Sequence, residues 1–99
     1  MSASAPVALS NSGIVVAGVP GFSIVVIAVA LVARAATDVK FQSNATDLMG
    51  AIPLAATAGF VLPQSSVQYP WMKTAIGESL NLNMTNPTDV GGVVTYDLI

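Results

Sequence analysis

Between Ile24 and Ala33 the chain reads IVVIAVALVA, ten consecutive apolar residues without a charge, an amide or a hydroxyl. Any fold must cover such a run on both sides. Six of the ten (Ile24, Val25, Val26, Ile27, Val29, Val32) are β-branched, which restricts χ1 and suits a pleated surface better than the crowded flank of a helix. The run therefore predicts a strand. At period two Val25, Ile27, Val29 and Leu31 form a bulky side, and Ala28 and Ala30 lie opposite, where they leave room for a close approach. The competing reading is a membrane span over residues 14–33, which is long enough. Gly18, Pro20, Gly21 and Ser23 interrupt that stretch, no Lys or Arg precedes it, and only Arg34 and Lys40 follow. Flanking charge of that kind is weak support for a span.

The charges narrow the function. Of 99 residues 54% are apolar and only 8% charged, against about 25% in an ordinary soluble domain. That is too few charges to coat a free monomer, so apolar area left over after core formation is expected to face another protein, with lipid as the alternative. The formal charge is −2, from Asp38, Asp47, Glu78, Asp89 and Asp97 against Arg34, Lys40 and Lys73. Three scattered cations make no stripe that could neutralise a run of phosphates, so nucleic acid is not an expected partner. With no Cys and no His, disulfides, zinc sites and the common nucleophile–base pairs are excluded. Each carboxylate sits in a turn or at a strand end, where solvated acids are expected, and no calcium-loop spacing appears. No catalytic, metal-ligating or cofactor-binding residue is expected, and the chain does not read as an enzyme.

The rest of the chain supplies short strands between turn signals. Met1 to Gly13 is small and polar, interrupted by Pro6, and predicts a flexible arm with some apolar grip from Val7 and Leu9. Residues 14–99 then form one domain. Ile14 to Val19 is a strand candidate closed by Val19-Pro20-Gly21-Phe22, the signature of a type II turn. Val39 to Gln42 alternates apolar with polar residues, Leu48 to Leu54 carries Pro53 and so predicts an edge strand, and Phe60 to Leu62 is short and apolar. From Glu78 the alternation is clear: Leu80, Leu82 and Met84 on one side, Ser79, Asn81, Asn83 and Thr85 on the other. Val93 to Ile99 ends the chain, with Val94, Tyr96 and Leu98 opposite Thr95 and Asp97. Seven or eight strands without helical period predict an all-β fold, a small antiparallel β-sandwich or jelly roll.

Pro63 to Pro70 is the longest irregular loop and leads to Trp71. Tyr69 and Trp71 can anchor a protein interface or stack on a sugar, while the plainer reading has Trp71 capping one end of the core.

Lys40-Phe41, Gly50, Leu54-Ala55, Gly59, Leu62-Pro63, Trp71, Thr74, Gly77-Glu78, Leu80-Asn81-Leu82 and Gly91-Gly92 before Tyr96 together resemble the small head decoration, or cement, proteins of tailed bacteriophages. The resemblance covers a little over half the chain. It implies a β-sandwich that trimerises on the outer face of a capsid and clamps the shell, with copies of itself and the major capsid protein as partners. Under that reading Val7, Leu9, Ala28, Ala30, Tyr69 and Trp71 are the expected contact residues. A small membrane protein and a glycan- or receptor-binding module are the alternatives.

Overall fold

The computed structural model describes residues 3–66 and 68–99. Met1 and Ser2 of the expected arm, and Val67 in the long loop, lie outside the described residues. The strands are β1 (Ala3–Leu9), β2 (Gly13–Val16), β3 (Ile24–Ala33), β4 (Thr37–Ser43), β5 (Thr46–Asp47), β6 (Ile52–Leu54), β7 (Gly59–Leu62), β8 (Met72–Lys73), β9 (Leu80–Met84) and β10 (Val90–Leu98). They form two antiparallel sheets packed as a small sandwich. The first has the order β1-β10-β3-β7, with β8 also on β3; the second has the order β2-β9-β4-β5, with β6 also on β4.

The apolar run is a strand, as its β-branching predicts. It is also the hub of the first sheet, paired with β10 along one edge and with β7 and β8 along the other. Its faces, however, do not follow strict alternation. Thr95 pairs with Ala28 and Tyr96 with Val26, so Ile27 is an extra residue with no partner on β10. That bulge inverts the side-chain parity. Ile24 and Val26 before it, and Val29, Leu31 and Ala33 after it, all enter the inter-sheet core. The expected bulky side of Val25, Ile27, Val29 and Leu31 is thus divided between two faces. The bulge falls where β7 has ended and β8 has not begun, and Ser65 fills the gap: its backbone N–H and its Oγ–H both donate to the Ile27 carbonyl, at 2.9 and 3.1 Å.

The second sheet shows clean alternation. Val39 and Phe41 of β4 and Leu80, Leu82 and Met84 of β9 point into the core, and Lys40, Gln42, Asn81 and Asn83 point out. Fully burying side chains of this size stabilises the fold by about 1.5–3 kcal/mol each. Thr37 and Ser43, at the two ends of β4, are buried hydroxyls that each bind backbone: Thr37 Oγ1 accepts from Asn86 N, and Ser43 Oγ accepts from Ala75 N. Among the described residues no buried side-chain nitrogen or oxygen lacks a partner.

Two segments differ from expectation. Ala3–Leu9, expected as a free arm, is the edge strand of the first sheet, in register with β10 from Ala3 opposite Tyr96 to Leu9 opposite Val90. Its alternation is masked because the inward residues Ala5, Val7 and Leu9 are only moderately apolar as a set, yet Val7 is buried and Ala5 and Leu9 pack against the core. Residues 14–33, weighed as a membrane span, are divided into β2, a turn and β3. Among the described residues no helix is long and apolar enough to cross a membrane. The turn between them is the type II turn its sequence implies, with Phe22 N donating to Val19 O and φ of 84° at Gly21.

Candidate interaction surfaces

The outer faces of the two sheets are chemically unlike. On the first sheet the register sets Pro6, Val93, Ala30 and Val61 side by side across all four strands. Ser4, Thr95 and Ala28 form the next row on one side, and Ala8, Gly91, Val32 and Gly59 the next on the other. None of these residues is charged. Val32, Val61 and Val93 are 52%, 68% and 42% exposed, large fractions for β-branched apolar side chains. Ala28 and Ala30 lie low between them, and with Val61, Pro63, Val93 and Thr95 they line a shallow groove of about 230 Å³. Small-molecule sites occupy about 300–1,000 Å³ and gather convergent polar groups. This groove is smaller and mostly apolar, with Gln64 and Thr95 as its polar lining, the chemistry of a protein contact.

On the second sheet Ile14, Asn81, Gln42 and Asp47 make one row, and Asn83 and Lys40 the next. Gln42 Nε2 donates to Asp47 Oδ1 at 2.7 Å, and Lys40 Nζ lies 3.0 Å from Asp47 Oδ2. The Gln42 hydrogen bond first, then Lys40, holds the Asp47 carboxyl below its ordinary value of 3.8, against a small opposing effect of burial. This is a solvated face.

A third exposed feature is the connection from Pro63 to Trp71. Trp71 N donates to Val26 O at 2.9 Å, and Trp71 Nε1 donates to Pro63 O at 2.7 Å, so the indole ties the two ends of the loop together. It does not cap the core, since it is 46% exposed; Tyr69 projects further, at 76%. Beside the chain end, Phe22, Ile76 and Ile99 are also exposed, held by Gly77 N to Phe22 O and by the reciprocal Ser23–Ile99 backbone pair.

Of the expected contact residues, Ala28 and Ala30 lie on the apolar face, and Tyr69 and Trp71 on the exposed loop. Val7 points into the core, while Leu9 is half-buried against it and also lines a surface pocket with Ser10 and Asp89. Sequence reasoning missed Pro6, Val32, Val61 and Val93, because only the cross-strand register brings them beside Ala30. A close serine–carboxylate pair, Ser43 with Glu78, is a structural tie: Ser43 is buried and also accepts from Ala75 N. Among the described residues no three of His, Cys, Asp and Glu gather to hold a metal ion.

Compared with known families, curated proteins and solved structures, the chain matches no family model, no curated protein and no solved fold.

Proposed function

We propose that this chain is a structural protein of a virus particle, a decoration or cement protein that self-associates and binds the outer surface of a capsid. The observation that carries this reading is the uncharged central patch on the outer face of the first sheet, which sets Val32, Val61 and Val93 in the open between the Asp97–Val25–Lys73 row at one end and the Arg34–Asp89 ion pair at the other. A monomer gains nothing from such a face, whereas a protein held permanently between copies and a lattice does. Many copies on one repeating surface multiply modest contacts through avidity. The resemblance of the segment from Lys40 to Tyr96 to phage decoration proteins points the same way and adds the expectation of a trimer and of the major capsid protein as partner.

The test is co-sedimentation of purified chain with heads of the virus that encodes it. Saturable binding that raises the temperature at which the heads rupture supports the proposal. Absence from the head fraction at saturating chain overturns it. The exposure of Tyr69 favours one further reading, a glycan-binding loop. Under that reading Tyr69→Ala abolishes retention on a glycan array and leaves head binding unchanged.

A further inference from the structure

We propose that the outer face of the first sheet is where two copies of this chain pack against each other, sheet on sheet, about a twofold axis. The inference rests on the self-association half of the proposed function alone and gives this face a twofold contact, separate from the threefold arrangement that the resemblance implies.

Charge limits the occupant. A partner that brought Lys, Arg, Asp or Glu onto the three central rows would bury them with nothing there to pair, since the charges of this sheet lie beyond those rows, at Asp97 and Lys73 and at Arg34 and Asp89. The occupant must therefore offer a flat, uncharged surface, and another copy of the same face offers one. Shape agrees. Val61 and Val93 are ridges on either side of Ala30 in one cross-strand row. With strands about 4.8 Å apart, the ridges stand about 10 Å apart. Across a twofold axis that runs along the strands midway between Val93 and Ala30, Val93 of each copy meets Ala30 of the other and Val61 meets Pro6, so the row is self-complementary.

Two of the sheet edges are blunted against strand addition. Pro6 lies within edge strand β1 and Pro53 within β6, which among the described residues pairs only with β4. A proline on a free edge removes a donor that an added strand needs. Strand addition at these two edges is thereby disfavoured, whereas the edge strands β2 and β7 carry no proline. Size sets the strength: four strands by three rows is about 400 Å² per copy, about half of the ~800 Å² per partner of a standard stable complex. The pair is weak in free solution and becomes effective where copies are held close together.

Sedimentation equilibrium of the intact chain at about 10 μM and about 1 mM tests this, concentrations that bracket so small an interface. The expected result is monomer at the lower concentration and dimer at the higher, with dimerisation weakened at least about tenfold by Val61→Lys and unchanged by Ile14→Lys on the second sheet. Val61 is largely exposed on a short edge strand, and circular dichroism checks that the variant folds. If it does not, Val93→Thr replaces it and is expected to weaken dimerisation in the same direction. A chain monomeric at about 1 mM, or a dimer indifferent to both substitutions, overturns the proposal. So does a monomeric chain whose head binding is lost in Val61→Lys, which assigns the face to the shell. Head binding by the unaltered chain is measured separately, so twofold pairing can fail while the capsid reading stands.

Discussion

Gly92 is the tightest point of the first sheet. It lies on β10 opposite Leu31 with φ of 154°, and a Cβ there would collide with the Ala30 carbonyl oxygen and come within 3.0 Å of Leu31 Cα. Backbone atoms at the centre of a sheet cannot yield as a flexible side chain can. Gly92→Ala is expected to destabilise the protein by about 2–4 kcal/mol, read as a lower urea midpoint with unchanged slope. Thr57 is the opposite case. It holds φ of 61° in the turn before β7, where Ala58 N donates to Ala55 O and Thr57 N to Ala33 O. A β-branched residue is strained there, so Thr57→Gly is expected to stabilise by about 0.5–1 kcal/mol despite the extra freedom it gives the unfolded chain. Asp47 contributes a pH dependence. Its carboxyl is held below 3.8 by Gln42 and Lys40, so the unfolded state takes up its proton first as pH falls. Its contribution is complete above the ordinary carboxylate range and fades as pH drops below about 4 toward the depressed folded value. Asp47→Asn is expected to remove that part of the acid limb in denaturation curves taken between about pH 5 and pH 2.

The strands divide into those whose sequence announces them and those that depend on their neighbours. In β4 and β9 apolar and polar residues alternate because one side is dry and one wet, and this was legible in Val39 to Gln42 and Leu80 to Met84. β3 was legible as a strand but not in its facing, since an unbroken apolar run gives no sign of a bulge at Ile27. β8 was not legible: Met72 and Lys73 pair with Val26 and Val25 only because Ser65 and Trp71 bring the chain alongside. β1 was read as an arm because Ser, Ala and Pro are poor strand formers, and its place comes from β10 rather than from its own propensity. Deleting residues 1–9 should therefore do more than remove an arm. It uncovers the edge of β10 and the core around Val7, and it is expected to lower the thermal midpoint by roughly 10 °C or more and to promote aggregation visible in light scattering.

At the scale of the molecule, the composition foretold too much apolar surface without saying where it lies. The register answers this by placing Val93, Ala30 and Val61 in one row, while the charges of Lys40 and Asp47 lie on the other sheet. Ala28 and Ala30 were read as leaving room for a close approach and lie in a groove, but Val93 beside them comes from a strand more than sixty residues away, and no local pattern links them. The central claim is that this face is covered when the protein is at work. Because the chain has no cysteine, a single Val93→Cys reports on the face and Asn83→Cys on the opposite one. The most direct measurement is the rate at which each thiol reacts with a maleimide, in dilute chain and in chain bound to heads. Covering is expected to slow labelling at position 93 at least about tenfold and to change position 83 less than about twofold. Equal labelling at position 93 in the free and bound states would contradict the account.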